Sequence, residues 1–358
     1  MKSLHIIGSK QMGGAERWFL RFLHALRSRR HDAMAVVRRG SELDSAIIGD
    51  LPHAALPLRT VWDPVSRWQV SRLVQRERPA IVQTYMGRAT RLTHIRPGSG
   101  IVHLSRLGGY YKLDGYRHAH AWIGNTRGLC DYLVRSGFPH DRVFHIYNFA
   151  EPVRPVEPQA LAALRARLAL QPDDLLLLTP GRFVSVKGQR YLLDALAQLP
   201  ASLSGRRLRL AMLGDGPLQA ELRQQARTAG IDDRIIWAGW QRDTAPWYAL
   251  ADLVLFPSRE QETLGNVVLE AWAYQRPLLT TLFRGAREIT THGEDAWCVP
   301  CDDPAALAGA LRTVIADNAL QQHLVAGGQA TLQRNFSEPA VMSQYDQLYR
   351  QLTAARSV

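Results

Sequence analysis

The chain has only three cysteines in 358 residues, Cys130, Cys298 and Cys301. That excludes a disulfide-stapled secreted scaffold. Cys298 and Cys301 form a C-x-x-C within A-W-C-V-P-C, but a zinc site takes about four ligands with paired spacing, and no second pair stands nearby. Three reduced thiols are expected. With no signal-peptide pattern at the start of the chain, they point to the cytoplasm. No apolar run approaches the roughly eighteen residues that span a bilayer. Any membrane contact would be peripheral, at the cytoplasmic face of an inner membrane. A D-x-D motif in a strand-end loop, which could carry Mg²⁺ between phosphates, is also missing. Asp302 and Asp303 stand before Pro304 and read as the N-cap and first-turn pair of a helix. No metal and no cofactor is expected. Acidic residues are scarce in one half only. Residues 1 to 155 hold 24 Lys and Arg against 11 Asp and Glu, and the remainder holds 20 against 21.

What is present is a repeated alternation of short apolar strands and helical stretches. L-H-I-I-G, A-M-A-V-V, A-I-V-Q-T-Y, A-W-I-G-N and V-F-H-I-Y-N punctuate the first half. This alternation implies a parallel sheet with helices on both faces. Prolines at 152, 155 and 158 interrupt the pattern as an interdomain linker. A second alternation follows. The pattern predicts an α/β protein of two doubly wound domains, residues 1–152 and 153–336, and a closing helix in 337–358 capped by Ser337. There is no internal repeat and no low-complexity tract.

Two segments of the second half carry chemistry. D-L-L-L-L-T-P-G-R-F is a hydrophobic strand entering the loop G-R-F-V-S-V-K-G, which holds Gly181, Arg182 and Lys187. Arg offers a bidentate fork and Lys a point charge, and either can neutralise a diphosphate. D-L-V-L-F-P-S is a second buried strand, followed by E-T-L-G-N-V-V-L-E with Glu262 before a helix and Glu270 inside it. Gly265 and Asn266 open that helix, where free N–H groups favour phosphate oxygens. A glycine there also lets a ligand approach the backbone. Two further strand ends supply Gly214 with Asp215 and Gly216, and Gly239 with Trp240, which reads as a base platform or as core or rim packing. Ligands of open parallel sheets gather beyond the carboxyl ends of the strands. A sugar joined to a nucleoside diphosphate would fit such a set. The plain alternative for the two glutamates is a solvated helix surface.

These motifs resemble the retaining GT-B fold glycosyltransferases of family 4, the glycosyl transferases group 1, including lipopolysaccharide-core-type enzymes. The resemblance covers nearly the whole length. It rests on Gly13-Gly14-Ala15-Glu16 after the first strand, G-R-F-x-x-x-K-G, L-G-D-G-P, A-G-W-x-x-D and the E-x7-E segment. It implies two Rossmann-like domains facing a cleft, with the last helix returning to the first domain. It implies that Arg182 and Lys187 bind the donor diphosphate, that Glu262 contacts the transferred sugar and that Glu270 holds the ribose. Gly265 and Asn266 would meet sugar or phosphate through their backbone, and Gly13 and Gly14 would face donor and acceptor. Transfer would proceed with retention and without metal, from a nucleotide sugar, with UDP the expected nucleotide, to a lipid-linked or anionic envelope glycan. In one place the chain departs from the family. Many relatives carry His-Gly beside the transferred sugar, whereas I-V-H-L-S-R-L-G-G-Y-Y has Leu107 before Gly108-Gly109, and His103 four positions early. His103 reads as a buried strand residue. Arg106 or the Gly108-Gly109 backbone is left to do the missing positioning.

The charge excess falls in the half that would take the acceptor, as expected for peripheral association with an anionic surface. Within it, the pattern from Arg17 to Arg30 mixes Trp and Phe with basic residues, and reads either as an interfacial helix or as one packed on the sheet. Trp62, Arg67 and Trp68 read as acceptor contacts or as a cap on the core. Two other classes compete: another enzyme of the same fold, such as a nucleotide-sugar epimerase, and a basic nucleic-acid-binding protein. The epimerase lacks a reason for the E-x7-E segment beside the basic loop. The nucleic-acid reading predicts cations interleaved with aromatics on one recognition element, whereas here they are dispersed.

Overall fold

The computed structural model describes residues 1–47 and 51–354. They fall into two compact units, one formed by Met1–Phe149 with the segment from Ser337 onward, the other by Ala150–Phe336. Each is built on a parallel sheet, so the expected α/β class with two doubly wound sheets holds.

In unit 1 the strands are β1 (Lys2–Ile7), β2 (Asp32–Arg38), β3 (His53–Leu56), β4 (Ile81–Tyr85), β5 (Val102–Leu107), β6 (Ala121–Gly124) and β7 (Val143–His145). Their spatial order is β3-β2-β1-β4-β5-β6-β7, parallel throughout. The order reverses direction beside β1, which makes the ends of β1 and β4 the switch point of the sheet. The edge strand β3 has no continuous apolar run, and its sequence H-A-A-L carries little of the strand signal seen in the other strands.

The Gly14–Ser28 helix follows β1. Its Trp18, Phe19, Phe22, Leu23 and Leu26 are buried, so its aromatic stripe packs inward and the interfacial reading of this segment is set aside. That stripe meets the Glu338–Ala354 helix, which contributes Val341, Met342, Tyr345, Leu348 and Tyr349 to the same core. Trp18 stacks on Phe22 at 4.8 Å, and Tyr345 lies 4.4 Å from Phe22 between ring centroids. Polar ties run through this core. Tyr349 donates to Gln83 Oε1 at 2.7 Å, Gln83 Nε2 donates to the Tyr85 hydroxyl at 2.6 Å, and His5 Nδ1 meets that hydroxyl at 3.1 Å. Such contacts are strong only while every member is satisfied, because a buried polar atom left alone costs roughly 1–3 kcal/mol.

Unit 2 contains β8 (Asp174–Pro180), β9 (Ser202–Leu203), β10 (Arg206–Leu213), β11 (Ile235–Gly239), β12 (Leu253–Phe256), β13 (Leu278–Thr281) and β14 (Trp297–Val299). The order is β11-β10-β8-β12-β13-β14, with the short β9 antiparallel on β10. β8 is buried at all seven positions, as a central parallel strand covered on both faces must be. It lies between β10 and β12, so the loops following these three strands emerge side by side.

Candidate donor site in unit 2

β8 ends at Pro180, and the chain turns through Gly181 into Arg182. Gly181 N donates to Leu213 O at 2.8 Å, and Gly214 N donates to Gly239 O at 2.8 Å. The loops after β8, β10 and β11 are therefore laced together by their backbones. Gly214 is required there. Its φ is +137°, and a Cβ would stand 2.2 Å from Gly181 O. This interlock fixes the course of the basic loop.

That loop makes a single 3-10 turn, Ser185–Lys187, before the Gln189–Ala197 helix. The turn aims Lys187 at the β12 loop. Lys187 Nζ donates to Glu262 Oε2 at 2.7 Å and sits 4.9 Å from the Phe256 ring centroid. Ser258 Oγ donates to the same carboxylate oxygen at 3.4 Å. The Lys187 and Glu262 side chains are 22% and 15% exposed, so the pair is shielded yet reachable. Lysine has three N–H donors, and one bond to Glu262 leaves others for a ligand. Arg182 is exposed, and among the described residues its guanidinium makes no ion pair. The geometry thus brings one acid and one ammonium together and leaves a free guanidinium on the same loop.

Gly265 caps the Asn266–Ala273 helix in a left-handed conformation, φ +74°, with no side-chain cap. Val268 N donates to Gly265 O at 2.9 Å, which closes the first turn of this helix. The expected reason for this glycine needs correcting. A Cβ here would meet the Phe256 and Phe283 rings at 2.7 Å, so packing, not ligand approach, fills that side. Asn266 follows as the first helical residue. Glu270 lies one turn further in, where the Tyr248 hydroxyl donates to its Oε2 at 2.6 Å. Tyr248 is fully buried and stacks on Tyr274 at 5.1 Å, which holds the carboxylate in place. Trp240, just beyond β11, is 53% exposed, so it does not pack into the core.

The structure adds residues that sequence reasoning missed. Arg259 Nε donates to Asp302 Oδ1 at 2.9 Å, its Nη1 donates to Ser185 Oγ at 3.0 Å, and Arg259 N donates to Val186 O at 2.8 Å. Asp302 raises the Arg259 pKa above its ordinary value. This clamp ties the 3-10 turn of Lys187 to the β12 loop. The residues lie 43 and 74 positions apart, and nothing local announces it. It also corrects the reading of Asp302, which adopts φ +60° ahead of the helix while Asp303 alone caps it through Ala306 N at 2.9 Å. Cys298 and Cys301 are free thiols, and burial pushes Cys298 up to about 11.

Gly13 and Gly14 belong to unit 1. Gly13 precedes the first helix in extended conformation, and a Cβ there would stand 3.0 Å from Glu16 Oε2. His103 is buried in β5, with Nε2 3.1 Å from Thr84 Oγ1. Arg106 is withdrawn from the surface. Its Nε donates to Tyr345 OH at 2.9 Å, its Nη2 donates to Asn148 Oδ1, and its guanidinium carbon lies 3.7 Å over the Trp18 ring. All of these partners are internal to unit 1. Trp62 and Trp68 are exposed and do not cap the core.

Comparison with known proteins follows the same outline. Residues 174–317 match the family model for glycosyl transferases group 1. The chain is 32% identical over 354 residues to the lipopolysaccharide core biosynthesis glycosyltransferase LpsE of Rhizobium meliloti strain 1021, covering 97% of the chain and 98% of that protein. It is 30% identical to LpsD of the same organism, over 99% and 100% of the two. A crystal structure of Anabaena Alr3699/HepE in complex with UDP and glucose superposes with a TM-score of 0.84 at 20% identity, covering 98% of this chain and 100% of that one.

Proposed function

Because the chain belongs to the group 1 glycosyltransferases, with the GT-B fold, we propose that it moves a hexose from a nucleoside-diphosphate sugar to a lipid-linked envelope glycan of the lipopolysaccharide-core type. The observation that carries this is the 2.7 Å pair of Lys187 Nζ and Glu262 Oε2, with the uncommitted Arg182 on the same loop. A nucleotide-sugar donor already has a good leaving group. The demand is therefore stabilisation of charge on the departing diphosphate, and preorganised cations supply it in a partly dry site. Arg182, the free donors of Lys187 and the N–H groups at Gly265-Asn266 fill that role in this reading. Glu262, held by Lys187 and Ser258, orients the hexose hydroxyls. Glu270, oriented by Tyr248, accepts from the ribose, and Trp240 lies open beside the base. The phosphates need no metal when two side-chain cations and a helix start face them.

Transfer in this reading proceeds with retention. The acceptor hydroxyl attacks on the face that the diphosphate leaves, and the departing phosphate oxygen takes its proton, so no fixed side-chain base is required. UDP is the expected nucleotide. The complexes of HepE carry UDP and UDP-glucose, and the relatives LpsE and LpsD are named for core lipopolysaccharide, which supports the acceptor class. The excess of 13 positive charges in residues 1 to 155 supports peripheral association of unit 1 with an anionic membrane surface. Among the described residues no helix is long and apolar enough to cross a membrane.

The test is thermal stabilisation of the chain by UDP, GDP, ADP and duplex DNA, followed by donor hydrolysis across a panel of nucleotide sugars. Stabilisation by one nucleoside diphosphate and hydrolysis of its sugar are expected. Stabilisation by DNA alone, or by none of the nucleotides, refutes the proposal.

A further inference from the structure

Three of the seven large apolar side chains exposed among the described residues lie within seven positions of one another: Trp62 at 81%, Val65 at 49% and Trp68 at 57%. They occupy the turn before the Pro64–Glu77 helix and its first two turns. The inner face of this helix is already spent, since Val70, Leu73 and Val74 pack with Leu4, Ile6 and Val82. The outer residues Val65, Trp68 and Arg72 stand at helical spacing on the opposite side. The two indoles there stand outside the core.

The charges around them are predominantly positive. Arg59, Arg67, Arg72, Arg76 and Arg78 are all exposed. The segment has two acids, and both are engaged: Asp63 accepts from Val65 N at 3.1 Å and Ser66 Oγ at 2.6 Å, and Glu77 accepts from Lys2 at 2.8 Å and Arg76 at 2.7 Å. Among the described residues Arg59, Arg67, Arg72 and Arg78 form no ion pair. Arg72 instead lies 5.3 Å over the Trp68 ring, and Arg67 Nη2 stands 3.3 Å from His94 Nε2. Guanidinium on indole is compatible with an apolar body and a wet, charged rim. Amphipathic rings beside unpaired cations are what the polar interface of an anionic bilayer takes up.

We infer that the Trp62–Arg72 surface of unit 1 is the lipid-contacting face of the protein, with the two indoles entering the headgroup layer of an anionic bilayer and Arg59, Arg67 and Arg72 binding lipid phosphates. This rests on the peripheral-association part of the proposed function and not on the sugar chemistry.

The experiment is flotation of the whole chain with vesicles of phosphatidylcholine alone and of phosphatidylcholine with phosphatidylglycerol. Wild type is compared with a Trp62→Ser/Trp68→Ser variant and an Arg59→Gln/Arg67→Gln/Arg72→Gln variant. Unfolding midpoint and donor hydrolysis are measured alongside. The expected result is binding to the anionic vesicles that falls on the order of a hundredfold without the three arginines and roughly tenfold or more without the two tryptophans, with midpoint and hydrolysis unchanged. If wild type floats with neither vesicle, peripheral association fails and this surface with it, while hydrolysis still stands for the donor chemistry. If all three proteins float alike, the assignment of this surface alone is refuted. Variants that float normally but lose transfer to a detergent-solubilised acceptor would make it a glycan site and overturn the inference.

Discussion

Acid should destabilise unit 1 through the histidines at its centre. His5 is fully buried in β1, and burial, with His31 adding repulsion, lowers its pKa from 6.5 to about 3. His103, in β5, is lowered in the same direction by burial and by His118, His120 and His94. A group that binds its proton less well when folded makes the folded state lose ground as pH falls below the unfolded value. The loss therefore begins near pH 6.5 and continues down to the folded pKa. At pH 5 the unfolded chain gains about 2 kcal/mol from protonating a His5-type group, at about 1.4 kcal/mol per pH unit. That is a large share of the ordinary 5–15 kcal/mol of a domain. The assay is urea unfolding of wild type and His5→Asn at pH 7.5, 6 and 5. Asn keeps polar atoms near Ser3 and Tyr85 but cannot titrate. Comparing slopes removes every other titrating group and all of unit 2. The variant should be less stable at pH 7.5, because contacts are lost, yet should fall less steeply toward pH 5. Equal slopes for the two proteins would refute the reasoning, since His5 would then be charged, or solvated, in the fold.

Further outcomes are expected at the donor site and in the core. Arg182→Ala and Lys187→Ala should each lower turnover by about two to three orders of magnitude, with Arg182→Ala leaving the unfolding midpoint in place; near-normal turnover from either would defeat its assignment. Arg259→Ala frees the Ser185–Lys187 turn and should reduce kcat/KM by about ten- to a hundredfold, without rescue by Arg259→Lys, which cannot reach Asp302 and Ser185 together; steady-state kinetics over donor concentration checks this. Tyr349→Phe leaves the buried Gln83 Oε1 without its donor and should cost roughly 1–3 kcal/mol, read by urea unfolding at neutral pH.

Much of the architecture was legible because its signals are local. β8, the second half of β10 and β12 are apolar runs leading into Gly or Pro, and such runs announce central parallel strands, while the edge strand β11 is shorter and only half-buried. Their order places the three loops of the candidate site on one edge, which is why Arg182, Lys187 and Glu262 could be grouped before any coordinates. What escaped was relational. The β3 sequence H-A-A-L has the composition of a loop and becomes a strand only by pairing with β2. The stripe from Trp18 to Leu26 is equally amphipathic whether it faces lipid or sheet, and only the arrival of Tyr345 and Tyr349 decides the matter. Gly265 looks like an opening for a ligand until Phe256 and Phe283 are seen filling the space. The Arg259 clamp joins Ser185 and Asp302 across more than a hundred residues of chain.

The Glu338–Ala354 helix sets an order of events in the cell. Its tyrosines complete a core whose other walls are made from residues that precede unit 2 in the chain. Those walls emerge before unit 2 and stay incomplete, with Trp18 and Phe22 uncovered, until the Glu338–Ala354 helix has left the exit tunnel. Unit 2, continuous in sequence, closes first. A premature stop near codon 337 would therefore yield a chain with an intact second lobe and an open first one, exposed to proteolysis at the end opposite to its lesion.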